Sequence, residues 1–167
     1  DGSSVFGKNN KWGCFPAGSF AWRINQEDWL RDVQWLTNLK LRVSYGWTGN
    51  QAISPYQSQG LLNTLYFKFG DADPVVGYLP SEQLQNPDLK WETTRSLNIG
   101  VDFGFLQDRI MGTLEYYLST TTDLLMRASI DQTTGYTSQL RNIGSVRNQG
   151  VEATLSFVPV KTKRVLW

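Results

Sequence analysis

The sequence predicts an all-β fold of antiparallel, up-and-down strands, a segment of a large transmembrane β-barrel, with one short helix near residues 26–37. Three observations predict it. Apolar and polar residues alternate with a period of two over long stretches, the mark of a strand with one apolar and one hydrated face. The apolar faces Leu39–Trp47 and Leu97–Phe105 match the ~9–11 residues that a tilted strand needs to cross a bilayer. Connections alternate between tight and long, and short turns at one end with long loops at the other is the pattern of outer-membrane barrels.

Each element has its own reason. Phe20, Trp22 and Ile24 alternate with Ser19, Ala21, Arg23 and Asn25, which predicts a strand starting near Lys11. Between Asn25 and Asn38 the period changes. Trp29, Leu30, Val33 and Leu36 fall at helical spacing, and Asn25 with Asp28 three residues on resembles a capping arrangement. From Leu39 the odd positions read Leu39, Leu41, Val43, Tyr45 and Trp47 against Lys40, Arg42, Ser44, Gly46 and Thr48. A second long strand begins near Trp91, with Leu97, Ile99, Val101, Phe103 and Phe105 on one face and Ser96, Asn98, Gly100, Asp102 and Gly104 on the other. A third follows, with Ile110, Leu114, Tyr116 and Leu118 opposed to Thr113, Glu115, Tyr117 and Ser119.

The register of that last hairpin is specified by its apolar pattern. A two-residue loop at Gln107-Asp108 pairs Phe105 with Ile110, Val101 with Leu114, Ile99 with Tyr116 and Leu97 with Leu118. A slip of one residue would set every pair against the wrong face. The loop lacks the Asn-Gly signature of the tightest turns, and a four-residue loop of the same register is equally allowed. Val151, Ala153, Leu155 and Phe157 define a fifth strand, continuous upstream to about Gln139. Gln57–Phe69 and Val75–Leu79 raise the count to seven if they contribute, and a further strand opens near Arg164. The turn at 107–108 and the one from Val158 to Lys163 are short; the connections from Asn50 to Lys90 and from Leu125 to Ser138 are long.

Composition removes whole classes of chemistry. The 167 residues carry 16 Lys+Arg against 15 Asp+Glu, no His and one Cys. Without His there is no Ser-His-Asp or Cys-His catalysis and no His-ligated metal. One Cys excludes a disulfide framework within the chain and any CxxC site. A formal charge of +1 leaves no electrostatic footprint for nucleic acid. No apolar run approaches the ~20 residues of a spanning helix. Tyr45, Trp47, Trp91, Tyr116 and Tyr117 lie near strand ends, where interface girdles are expected. Soluble antiparallel sheets alternate too, yet a sandwich shows turn signals every ~8–12 residues, and these strands are too long for that.

Closure sets a further expectation. Barrels of this kind have about eight strands or more, and an open edge in lipid leaves backbone groups unpaired at several kcal/mol each. The chain therefore needs neighbouring strands from elsewhere. It begins at Asp1 with neither Met nor a signal peptide, which reads as a piece of something longer, a partial β-barrel domain over 1–167.

Ordered motifs carry a family resemblance over nearly the whole chain. They are Asp1-Gly2-Ser3-Ser4-Val5-Phe6-Gly7, the run from Lys11-Trp12-Gly13 through Phe15-Pro16 to Ala21-Trp22-Arg23-Ile24, and Leu39 through Tyr45-Gly46-Trp47-Thr48-Gly49-Asn50-Gln51. Further on come Asn86-Pro87-Asp88-Leu89-Lys90-Trp91-Glu92-Thr93-Thr94, Asn98-Ile99-Gly100-Val101-Asp102-Phe103, Tyr116-Tyr117 through Asp123-Leu124-Leu125, and Asn142-Ile143-Gly144-Ser145-Val146 into Asn148-Gln149-Gly150-Val151-Glu152. Together they resemble the barrel of SusC/RagA-type TonB-dependent outer-membrane transporters of Bacteroidetes, in the C-terminal half of the barrel. The resemblance implies a plugged barrel of about 22 strands in the bacterial outer membrane that imports oligosaccharides or peptides. It implies energy delivered through TonB and a SusD-type surface lipoprotein that captures the ligand. The plug, the TonB-contacting segment, and the early and closing strands would lie outside these residues.

Individual residues follow from this frame. Leu39, Leu41, Val43, Leu97, Ile99, Val101, Phe103, Leu114, Leu118 and Leu155 are expected to face lipid. Tyr56, Tyr66, Phe67, Tyr78 and Tyr136 sit in or beside the long loops and could stack on sugar rings of a substrate. Lys40, Arg42 and Arg95 are candidates to line the interior. Asp71-Ala72-Asp73 has the oxygen-rich look of a calcium loop but lacks the remaining spaced ligands. No metal, cofactor or catalytic residue is expected. The alternative reading is a soluble β-sheet module that binds carbohydrate, or a hydrolase using carboxylates. Against its enzymatic form, Glu92, Asp102, Glu115 and Glu152 all fall on the polar face of a strand.

Overall fold

A computed structural model describes residues 1–70 and 73–159. Ten strands lie among the described residues: β1 (Ala17–Arg23), β2 (Leu36–Asn50), β3 (Leu62–Phe67), β4 (Val75–Pro80), β5 (Gln83–Leu84), β6 (Glu92–Phe105), β7 (Ile110–Thr122), β8 (Leu125–Ser129), β9 (Ser138–Asn142) and β10 (Ser145–Phe157). The chain forms two compact units. One comprises Asp1–Phe15, Gly49–Thr94 and Thr121–Ser145; the other comprises Pro16–Thr48, Arg95–Thr120 and the described part of Val146–Trp167.

The second unit holds the body of a five-stranded sheet in the order β1-β2-β6-β7-β10. With the inserted strands set aside, each member lies beside the next one along the chain, so the sheet is an up-and-down meander. β1 runs antiparallel to β2, with Phe20 opposite Val43 and Trp22 opposite Leu41. Apolar thus meets apolar, as alternation requires. In the β6–β7 hairpin the hydroxyls of Ser96 and Ser119 meet at 3.4 Å. That is the register expected from the sequence, and it sets Val101 against Leu114. The turn uses the four-residue form. Leu106, Gln107 and Asp108 all adopt positive φ, and Arg109 N–H closes the turn on Phe105 O at 3.1 Å.

The helix expected near 26–37 is absent. A 3₁₀ turn over Ile24–Gln26 is followed by successive turns, Leu30 N–H to Glu27 O, Val33 N–H to Leu30 O and Leu36 N–H to Val33 O. The physical reason is that its apolar residues are only partly covered: Leu30, Val33 and Leu36 are half-buried and none is buried. Trp29 and Trp35 remain 67% and 59% exposed, and a helix this short is marginal without tertiary packing. Asn25 does not cap it; its Nδ2 donates to Thr37 O at 3.1 Å. The first strand also starts later than Lys11, at Ala17.

The first unit is built from short pieces. β3 and β4 form a two-stranded antiparallel hairpin, while β5, β9 and β8 form a three-stranded sheet in that order, with β5 and β9 parallel. The stretch from Leu125 to Ser138, expected as a long connection, begins with β8, which pairs antiparallel with β9. The strand expected to run unbroken from Gln139 to Phe157 is interrupted at Gly144, whose φ of 86° suits glycine and breaks an extended chain. Asn142 braces this break, donating from Nδ2 to Lys90 O and Asp123 O and accepting Lys90 N–H. Among the described residues, the buried apolar side chains are Phe6, Leu89 and Leu140, flanked by Val5, Ile53, Trp91 and Leu125. All belong to this unit.

Candidate functional site

The long sheet carries two chemically distinct faces. On the polar face Arg42 forks onto Asp102, with Nε to Oδ2 at 2.9 Å and Nη2 to Oδ1 at 3.0 Å. Its Nη2 also lies 3.9 Å from Glu115 Oε2. The guanidinium is able to cross from β2 to β7 because Gly100 of β6 lies beneath it; a Cβ there would meet Nη2 at 3.0 Å. Ser19, Ser44, Asn98 and Gly100 border the same group in a depression of about 260 Å³. Such a bidentate pair is directional as well as charge-compensating. Tyr117 also lies on this face, its ring over Gly150 of β10.

On the apolar face, none of the ten candidate positions is buried. Leu39, Leu41, Val43, Leu97, Val101, Phe103 and Leu118 are half-buried, whereas Ile99, Leu114 and Leu155 are 38%, 51% and 70% exposed. Phe103 lies over Gly112 of the neighbouring strand, an aromatic ring covering a glycine gap in the sheet. At the end nearer the β1–β2 connection, Phe105 stacks beside Phe103 at 5.5 Å and beside Trp35 at 5.7 Å. At the other end Trp47 Nε1 donates to Tyr45 Oη at 2.9 Å, and the Arg95 guanidinium carbon sits 4.9 Å from the Trp47 ring centre. Arg95 therefore belongs to the apolar side. It does not share the face of Lys40 and Arg42, because its odd position in β6 puts it with Leu97.

The expected strand-end aromatics divide in the same way. Tyr45 and Trp47 share that strand end, but Tyr116 lies mid-strand opposite Ile99, Tyr117 is on the polar face, and Trp91 packs on Phe6 and Phe15 in the first unit.

The five loop aromatics lie on three elements of the first unit. Tyr66 and Tyr78 share one face of the β3–β4 hairpin, 70% and 65% exposed. Phe67 is on the other face, stacked with Phe69 at 6.5 Å. Tyr56, at φ 66°, borders a cavity of about 430 Å³ with Phe6, Lys8, Lys11 and Gln85. Tyr136 follows Gly135 in the β8–β9 turn. That turn is held by Asp131, whose side chain accepts Thr133 N–H at 2.9 Å; this hydrogen bond holds the carboxyl below its ordinary pKa. Of the Asp71-Ala72-Asp73 candidate, Asp71 and Ala72 lie outside the described residues, as does the strand expected near Arg164, and Asp73 is exposed. Among the described residues no group of three or more His, Cys, Asp or Glu is arranged to hold a metal.

The core of the first unit was not foreseen. Phe6, Leu89 and Leu140 come from segments far apart in the chain, and no periodicity links them. The structure shows why residue 7 is glycine: a Cβ there would strike Pro87 O.

A one-layer antiparallel meander with two chemically opposed faces is the arrangement of a β-barrel wall. The chain matches the family model described as "TonB dependent receptor-like, beta-barrel" over residues 1–167, and it belongs to that family. It is 41% identical over 170 residues to TonB-dependent receptor P26 of Formosa agariphila and 39% identical over 171 residues to TonB-dependent receptor SusC of Bacteroides thetaiotaomicron. In each case all of this chain aligns with 17% of the relative, so it spans about a sixth of their length. Among solved structures it superposes on the RagAB peptide transporter with a TM-score of 0.82 at 32% identity, covering 97% of this chain and 17% of that one. The RagAB peptide importer in its 'closed-closed' state gives 0.84 at the same identity and coverage. Proteins of this family reside in the outer membrane of Gram-negative bacteria, and that is the location of this one. These relatives lend no support to a soluble carbohydrate-binding module or a hydrolase.

Proposed function

We propose that residues 1–167 form part of the barrel wall and the outer loops of a TonB-dependent importer of oligosaccharides or peptides, with no catalytic step and no cofactor. The plug and the remaining strands come from other sequence of the same protein, TonB engages through those regions, and a SusD-type lipoprotein covers the loops. The observation that carries this reading is the sorting of charge across the sheet. Every carboxylate of the wall strands, Glu92, Asp102, Glu115 and Glu152, occupies one face, and the other face has none. A wall between water and hydrocarbon needs that sorting.

On this reading Leu39, Leu41, Val43, Leu97, Ile99, Val101, Phe103, Leu114, Leu118 and Leu155 contact lipid. The Arg42–Asp102–Glu115 group faces the plugged interior. The β3–β4 hairpin supports a covering partner, since both of its faces are exposed and a lone hairpin is marginal in water. Tyr56, Tyr66, Phe67, Tyr78 and Tyr136 supply aromatic surface to the ligand or to that partner.

The test is uptake in whole cells. Residues 62–80 of the full-length protein are replaced by a short Gly-Ser linker, and uptake of fluorescent glycans and peptides is compared with the intact protein, with and without functional TonB. The expected result is TonB-dependent uptake that the loop replacement abolishes while barrel assembly persists. Uptake indifferent to TonB, or conversion of the ligand by purified protein, would overturn the reading.

A further inference from the structure

Every residue on the apolar face of the wall strands is uncharged, except two. Arg95 in β6 shares that face with Leu97, and Arg147 in β10 shares it with Val151. Both are exposed, and both lie near the start of their strands, at the end that follows the long insertions.

The register brings them to one level. Arg95 stands opposite Thr120, by the same pairing that sets Ser96 against Ser119. Across the other edge of β7, Tyr117 covers Gly150 and Val158 N–H donates to Arg109 O, a pairing that sets Thr120 against Arg147. Thr120 thus stands in register between Arg95 and Arg147 on the two strands that flank β7, the two arginine Cα atoms about 10 Å apart at two strand spacings. Trp47 completes the row, its ring under Arg95.

Among the described residues no carboxylate lies within 4.0 Å of either, and the acids of these strands are on the opposite face. A cation on a hydrocarbon-facing surface is costly unless it reaches the interface and finds an anion there. Tyr45 and Trp47, with their apolar rings and polar tips, mark that interface. The planar fork of arginine fits phosphate oxygens in a bidentate manner, and a hydroxyl between two forks adds a further donor.

We infer that Arg95, Thr120 and Arg147 form a binding site for the phosphate group of an anionic amphiphile in the outer leaflet, with Trp47 holding the Arg95 side chain in place. The inference rests on the proposed orientation, in which the apolar face meets lipid and the insertions point outward. It adds a specific lipid contact to a wall that otherwise needs only hydrocarbon.

The experiment uses full-length protein in nanodiscs containing either phosphorylated lipid A or enzymatically dephosphorylated lipid A, with retained lipid counted by native mass spectrometry. The wild-type protein is expected to retain the phosphorylated form about tenfold better, the size of one charge-assisted contact. Arg95→Gln with Arg147→Gln is expected to erase the preference, Arg95→Lys with Arg147→Lys to preserve part of it, and Glu152→Gln on the opposite face to leave it intact. Excess inorganic phosphate should not displace the lipid. Equal retention of both lipids by the wild type overturns the inference whether or not the variants assemble. Displacement by inorganic phosphate alone would reassign the site to a free anion. Unchanged lipid retention together with loss of a co-purifying lipoprotein in the Gln variant would reassign it to a protein partner. If Val101→Arg still destabilises the barrel while the lipid preference is missing, this site fails and the orientation stands; if both are missing, the orientation itself has failed.

Discussion

Substituting Val101→Arg is the sharpest perturbation of the sheet. From Arg95 to Phe105 the strand runs about 33 Å at ~3.3 Å per residue, and a tilt of ~40° brings this to about 25 Å, the height of the apolar band of an outer-membrane barrel. Val101 then sits about 20 Å along the strand from Arg95 and about 13 Å from Phe105, too deep on both sides for an arginine to reach water without strain. Its cross-strand neighbours, Leu41 and Leu114, offer no hydrogen-bond partner. Arg at such depth costs ~2–4 kcal/mol, against ~0–1 near the interfaces. Ser96→Arg in the same strand turns to the polar face and loses only a 3.4 Å hydroxyl contact with Ser119; its cost should stay below about 1 kcal/mol. The assay is the guanidinium midpoint for unfolding of full-length protein from phospholipid vesicles, read by heat-modifiable mobility. Equal shifts for the two variants would refute the assignment of faces.

Other outcomes follow from particular contacts. Arg42→Gln should destabilise by about 1–2 kcal/mol, because Asp102 and Glu115 are left half-buried with like charge; a double-mutant cycle with Asp102→Asn should show coupling, and strict additivity would contradict the pair. Gly112→Val places a branched side chain where Phe103 and Thr154 O already lie, and should cost about 1–3 kcal/mol by overpacking, measurable as a lower unfolding midpoint. Asp131 should titrate below the usual carboxylate range because Thr133 N–H stabilises its charged form. Its contribution to the β8–β9 turn is then complete above the unfolded pKa of about 3.9 and lost as pH falls through the lower folded value, so the Thr133 amide should lose exchange protection only in strong acid; loss near neutrality would contradict this.

The long strands could be read from sequence because period-two alternation and burial on one side over-determine register. The Phe105–Ile110 pairing is an example: a slipped alternative would have put Val101 and Leu114 on opposite faces. The segment after Asn25 misled for the converse reason. Its helical spacing is a purely local signal, and the segment packs too little to hold a helix: Trp29 is 67% exposed, and Trp35 remains 59% exposed even beside Phe105. β5, β8 and β9 are too short to show a period, at two to five residues each, and β5 meets β9 across more than fifty residues of sequence, which no local pattern records. The charge of Arg95 suggests the interior face of Lys40 and Arg42, but its odd position in β6 decides the face. Parity carried through the whole strand sets it beside Leu97.

The central claim is that the odd-numbered face of β6 meets hydrocarbon. Spin labels placed one at a time at positions 97–102 of the full-length protein in bilayers, with Cys14 changed to Ser, test it most directly. The account predicts that oxygen relaxes the labels at 97, 99 and 101 while a water-soluble nickel chelate fails to reach them, with even positions shielded from oxygen. Uniform accessibility along the strand, or the opposite parity, would contradict it.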